Sequence, residues 1–191
     1  MRKISMLAGV LGFSIVSFAQ TTWNLDKNHT TIGFTTTHMV VSEVDGRFTE
    51  FDGKVVSKSD DFDGAEVEFT AQVASVSTEN ERRDNHLKSD DFFSAEKYPT
   101  ISFKGKLMKD GGKYKLQGQL TMRDVTKDVT FDVTYGGSVD TGRGVKAGFK
   151  ITGTINRQEF GLKWANKLAS GDLVVADDVQ IICRVELNKA A

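Results

Sequence analysis

The stretch RDNHLKSDDFF, Arg83 to Phe93, puts arginine, aspartate, histidine and lysine within six residues and ends on two acids and two phenylalanines. These residue types suit proton transfer, metal ligation or contact with a charged head group. A zinc site asks for three or four ligands, and His86 has acids nearby but no second histidine within a helical turn. His29 and His38 are nine residues apart, an odd spacing that sends them to opposite faces of a regular strand unless a bulge intervenes. No G-x-S-x-G elbow, phosphate-cradling glycine loop or cysteine–histidine pairing accompanies the cluster. The expectation is therefore architectural, with no metal and no catalytic residue. Arg83 and Asp84 form an ion pair holding a short helix against the body of the protein, and His86 makes a polar contact there.

Most of the remaining chain alternates. In AEVEFTAQV the apolar Ala65, Val67, Phe69, Ala71 and Val73 take turns with Glu66, Glu68, Thr70 and Gln72. Successive strand side chains point to opposite faces, so this pattern buries one face and wets the other. The same rhythm runs through ISFKGKL, YKLQGQLTM, VTFDVTY, VKAGFKITGTI and VQIICRVEL. Runs near Thr31–Val40 and Arg47–Val56 bring the total to about eight strands. Glycine-containing turn signals separate them, at Asp45–Gly46, Asp52–Gly53, Asp110–Gly112 and Gly136–Gly137. Short connections favour antiparallel neighbours, and closing the sheet removes its exposed edges. The fold class is all-β: an antiparallel up-and-down barrel, with a sandwich as the alternative. A short helix near 78–95, capped by Ser77 or Thr78, interrupts the strands, and its Leu87, Phe92 and Phe93 close one barrel end. Small inward residues, among them Ala65, Ala71, Gly105, Gly118, Ala147 and Gly153, suggest room along the axis, although the same residues also suit strand bending and taper.

The N-terminus, MRKISMLAGVLGFSIVSFA, has two positive charges, a short apolar run and small residues at Ser17 and Ala19. It reads as a cleavable secretory leader over residues 1–19, too short to anchor in a membrane, with one domain over 20–191. The chain has 25 basic and 26 acidic residues, and without Arg2 and Lys3 the balance is 23 to 26. That small acidic excess gives no support for a nucleic-acid partner. Cys183 is the only cysteine, so an exported domain gains nothing from an internal disulfide. Its apolar strand marks a buried thiol, not a nucleophile.

Several segments together resemble the YceI-like proteins, a bacterial polyisoprenoid-binding family with a lipocalin-like barrel. RDNHLKSDDFFSAEKYPTISF resembles the hallmark segment of that family. HTTIGFTTTHMVVSEVDGRF, GQLTMRDVTKDVTF, INRQEFGL and VVADDVQI match further motifs in the same order. Asp124 departs from the glycine that relatives commonly carry in its turn. The resemblance implies an exported barrel holding a long-chain lipid, such as an isoprenoid, an isoprenoid quinone or a similar amphiphile. It also implies periplasmic location, no other cofactor, transient membrane contact and a homodimer. On that basis the lumen wall is assigned to Phe34, Phe48, Phe69, Phe103, Leu120, Met122, Phe131 and Phe149. A mouth falls to Phe92, Phe93, Phe160 and Trp164. Head-group or structural polar roles fall to His38, Arg83, Asp84, His86 and Arg157. Two other readings stay open: an enzyme acting on a lipid or a stress-derived metabolite, and a solidly packed structural or interaction barrel.

Overall fold

The computed structural model describes residues 20–190. The leader assigned to 1–19 lies outside the described residues. Within them the alternating runs form β1 (Thr21–Leu25), β2 (Thr31–His38), β3 (Ser42–Phe48), β4 (Phe51–Ser57), β5 (Ala65–Gln72) and β6 (Val76–Ser77). After helix α1 (Glu81–Lys88) come β7 (Thr100–Asp110), β8 (Lys113–Met122), β9 (Val125–Asp140), β10 (Val145–Asn156) and β11 (Val175–Lys189). Hydrogen-bonded neighbours run β1-β4-β5-β7-β8-β9-β10-β11, and β11 returns to β1 through Trp23↔Lys189 and Leu25↔Leu187. Every one of these pairings is antiparallel, which closes the sheet into an eight-stave up-and-down barrel.

Three staves are bent. β2, β3 and β6 continue β1, β4 and β5 beyond a break, with β2 joining the other half of β11 at Ile32↔Cys183 and β3 joining β2 at Ile32↔Phe48. At the first break Thr30 replaces the missing ladder bonds. Its hydroxyl donates to the Glu186 carbonyl at 3.3 Å and accepts the Glu186 N–H at 3.1 Å. Alongside, the Lys146 ammonium bonds Asp26 at 2.8 Å and Glu186 at 2.6 Å. The hydrogen bonds from Lys146 and then His29 hold the Asp26 carboxyl well below the usual carboxylate range. A depressed folded-state pKa stabilises above the ordinary carboxylate pKa, and that contribution disappears as pH falls through the folded value.

Only one of the four glycine turn signals is a hairpin turn. Gly111 and Gly112, at φ 53° and 87°, connect the paired Asp110 and Lys113. Asp45–Gly46 lies inside β3, Asp52–Gly53 inside β4, and Gly136–Gly137 inside β9. At the last, Gly148 pairs with Gly137 and Phe149 with Tyr135, so Gly136 is the extra residue of a β-bulge that bends β9. β9 joins β10 only from Asp132 onward, and the 3-10 turn Arg157–Phe160 packs beside the unpaired stretch.

The β8–β9 turn consists of Arg123 and Asp124, both left-handed at φ 49° and 58°, between the paired Met122 and Val125. Two-residue turns of this type favour glycine. Asp124→Gly is therefore expected to raise stability by about 0.5–1 kcal/mol, a shift of about 2–4 °C per kcal/mol in the melting temperature. Thermal unfolding followed by circular dichroism checks it.

Helix α1 starts later than its sequence suggests. Asn80, not Ser77 or Thr78, caps it, with its side chain accepting the Arg83 N–H at 3.0 Å. Thr78 instead takes the place of the expected Arg83–Asp84 ion pair. The Asp84 carboxylate accepts the Thr78 N–H at 2.8 Å and its hydroxyl at 2.5 Å, while Arg83 Nε donates to the Thr78 hydroxyl at 2.7 Å. Arg83 Nη2 donates to the Thr78 carbonyl at 2.8 Å. Threonine satisfies both charged groups because its hydroxyl donates to one and accepts from the other.

The two barrel ends close differently. At the end away from α1, the β4–β5 loop drives Phe62 inward until its side chain is buried, at 1% exposure. The Phe62 ring centroid lies 5.0 Å from Trp23, 5.6 Å from Tyr135 and 5.0 Å from Phe149. The Tyr114 hydroxyl fastens this loop by donating to the Asp61 carbonyl at 2.6 Å. Hydrogen bonds from the Ser59 hydroxyl and the Lys109 ammonium hold the Asp61 carboxyl down at about 2, so it stays ionised at neutral pH. At the other end Phe93 meets Phe48 edge-on at 5.8 Å, and Phe92 lies 5.4 Å from Trp164.

Candidate ligand cavity

Between these two closures lies an apolar cavity of about 180 Å³. Its wall contains all eight residues assigned to the lumen: Phe34, Phe48, Phe69, Phe103, Leu120, Met122, Phe131 and Phe149. Aliphatic residues outside that assignment line the same wall, including Leu25, Ile32, Val67, Ile151, Ile181 and Leu187. Their signal was present in the same period-two pattern. The mouth residues lie elsewhere. Phe92, Phe93 and Phe160 are buried packing residues, and Trp164 is half-buried beside Phe92, all outside the cavity wall. They cap the barrel rather than line its opening.

The small inward residues act differently from the expectation. A Cβ on Gly153 would come within 2.6 Å of the Phe131 ring, and one on Gly46 within 2.7 Å of two Phe34 ring carbons. Gly105 and Gly118, paired across β7 and β8, are both overlaid by the tip of Phe103, at 2.6 and 2.8 Å from a Cβ. At Gly46 and Gly153 the room beside the glycine is taken by a ring, while at Gly105 and Gly118 the backbone carbonyls of Gln117 and Lys104 lie closer still than the Phe103 tip.

This arrangement makes a direct prediction. The three nearest atoms that a Cβ on Gly46 would meet all belong to the far edge of the Phe34 ring, so in Gly46→Ala the barrel is expected to fold while that ring swings into the lumen. Displacing a packed ring costs about 1–3 kcal/mol, so affinity for an apolar naphthylamine dye is expected to fall about tenfold. Unchanged dye binding would show that the ring is accommodated without entering the cavity.

The polar candidates are engaged with the protein. Arg157 is buried, at 3% exposure, and its guanidinium donates to the carbonyls of Leu162 at 2.7 Å, Ala176 at 2.9 Å and Val175 at 3.2 Å. Its Nη2 also bonds the Asp177 carboxylate at 2.8 Å. His86 Nε2 faces Asp91 at 2.9 Å, and its ring meets Phe92 and Trp164 edge-on. Arg83 and Asp84 hold Thr78. His38 is half-buried at the end of β2, and it is not on the cavity wall.

A model of the YceI-like domain matches residues 23–187, the span of the whole barrel. The chain belongs to the YceI-like family. A UPF0312 protein of Staphylococcus aureus is 34% identical over 170 residues, covering 88% of this chain and 98% of that one. The crystal structure of a Campylobacter jejuni YceI protein superposes with a TM-score of 0.71 at 34% identity, covering 87% of this chain and 97% of that one. A domain from Saccharophagus degradans described as polyisoprenoid binding superposes with a TM-score of 0.65 over 88% of this chain and 98% of its own, at 13% identity. That last likeness concerns the fold alone.

In this YceI-like barrel Cys183 also faces the cavity, and burial pushes its thiol up to about 11, far from a thiolate nucleophile at neutral pH. Among the described residues Asp26, His29 and Glu186 have the spacing of a metal site. The cation between those carboxylates is the Lys146 ammonium described above, bonded to both. A metal ion would have to displace it.

Proposed function

We propose that this YceI-like protein binds the apolar chain of a long lipid, an isoprenoid, isoprenoid quinone or similar amphiphile, inside its barrel. It acts as a periplasmic carrier, reservoir or sequestering protein. The observation that carries this reading is the apolar cavity, walled by aromatic and aliphatic side chains on every stave. Removing apolar surface from water contributes about 25 cal/mol per Å², so a long tail offsets the cost of ordering it. An apolar cavity of about 150 Å³ accommodates benzene. A polyprenyl tail needs more, so side chains of the wall must yield to admit it.

Binding without catalysis accounts best for the polar residues, because Arg83, Asp84, His86 and Arg157 are committed to protein partners. The polyisoprenoid-binding description of the Saccharophagus domain supports the same ligand class. The leader over 1–19 supports export, and transient membrane contact and a homodimer belong to the same proposal. Native mass spectrometry of protein purified from its own host tests it. A co-purified mass matching a lipid is the expected result, and repeated spectra of the bare polypeptide would count heavily against a carrier.

A further inference from the structure

Five large apolar side chains are exposed among the described residues, and three of them are consecutive: Met39 at 42%, Val40 at 63% and Val41 at 86%. They form the tip of the β2–β3 hairpin, between the paired His38 and Ser42. β11 begins beside His38, at Val175, and ends against β1 at the end closed by Phe62. The tip therefore projects from the opposite end of the barrel. A backbone bond ties it to the body, the Met39 N–H donating to the Val174 carbonyl at 2.8 Å.

The backbone of this tip is as unusual as its exposure. Met39 and Val40 are both left-handed, at φ 50° and 68°. Glycine or asparagine suits that conformation, and a β-branched side chain suits it least. In the β7–β8 turn the left-handed positions go to Gly111 and Gly112. At the tip a strained valine and bare apolar surface coincide, yet none of the three side chains belongs to the hydrophobic core. Strain of this kind gathers at functional positions.

Size and charge select what covers the tip. A stable protein partner needs about 800 Å² from each side, far more than three side chains on a hairpin end present. The surrounding charge is mixed. Lys167 is exposed in the depression that Val40 borders, and so are Asp172 and Asp178. Glu43 follows on β3. Such a mixture does not draw the tip to an anionic surface. Three exposed apolar side chains on a narrow turn gain most from a medium that they can enter, and a bilayer is one.

We propose that the Met39–Val41 tip is a membrane-docking site, which inserts its apolar side chains into the surface of a lipid bilayer. Insertion, not attraction to anionic head groups, supplies the affinity. This rests on the lipid-carrier reading above and gives it a membrane-facing end.

Flotation with vesicles of phosphatidylcholine and phosphatidylethanolamine tests it, using the exported form from Gln20 onward. The wild type is expected to float with them, its partitioning changing less than about twofold between about 0.1 and 1 M salt. Combining Val40→Asn with Val41→Ser should lower partitioning about tenfold or more, because two valines are withheld from the bilayer. The double variant should melt no lower, since asparagine suits the left-handed position. It should bind an apolar dye in the lumen as the wild type does, since neither valine borders the cavity. A nitrobenzoxadiazole label on Val41→Cys should brighten on vesicles. The same label on Val139→Cys, exposed on the β9–β10 hairpin at the Phe62 end, should not.

Equal flotation of wild type and double variant overturns the docking site, as does binding confined to vesicles containing phosphatidylglycerol and lost in salt. A double variant that melts several degrees lower makes the valines structural and also overturns it. Wild-type protein that stays off the vesicles overturns it too, and a dimer lost in the double variant would then assign the tip to a second copy. In all these cases persistent dye binding leaves the lipid-binding reading standing. Failure of the wild type to bind dye strikes that reading, whatever the vesicles show.

Discussion

Phe62→Ala is expected to destabilise the barrel by about 3–5 kcal/mol, the range for truncating a buried phenylalanine. One side chain closes this end, and its ring contacts Trp23, Tyr135 and Phe149 at once. The loop around it stays anchored through Tyr114 and Lys109, so little collapse can refill the space. At about 2–4 °C per kcal/mol for a chain of this size, the melting temperature falls by roughly 6–20 °C. The same substitution lengthens the lumen, so an apolar dye should bind more tightly to the less stable protein. Urea unfolding and dye titration together read both effects. A stability loss under about 1 kcal/mol would mean that the ring does not seal the end.

Arg157→Ala is expected to cost a similar amount, about 3–5 kcal/mol, because it strips partners from three carbonyls and leaves Asp177 without its cation. Arg157→Lys tests the cause. An ammonium restores the charge but not the planar fork that reaches several acceptors in fixed directions. It should recover less than half of the loss. Full recovery by lysine would assign the effect to charge alone. Neither variant is expected to alter dye binding in whatever fraction remains folded, since the guanidinium does not border the cavity.

The barrel was legible because period-two alternation survives along every stave. Closure follows from eight such runs joined by short connections. Turn placement was less legible. Asp45–Gly46 and Asp52–Gly53 have hairpin composition, yet both glycines sit within strands, and at Gly46 the reason is a ring packed from the neighbouring strand. Local sequence contains no record of such a neighbour. Phe62 was missed although its setting was telling, a lone ring among Asp60, Asp61 and Asp63. A loop has no alternation to announce which side chain turns inward. Arg157 was noted as polar, but its acceptors are backbone carbonyls as far along as Ala176, which no motif reveals.

The packing of Phe34 against Gly46 and of Phe131 against Gly153 makes the calibre of the tube in part a property of its missing methyl groups. Homologues with identical phenylalanines can therefore differ in gauge, and in the girth of guest they admit, through a single hydrogen exchanged for carbon on the neighbouring strand. Guest preference across such barrels is to be sought first at their smallest residues.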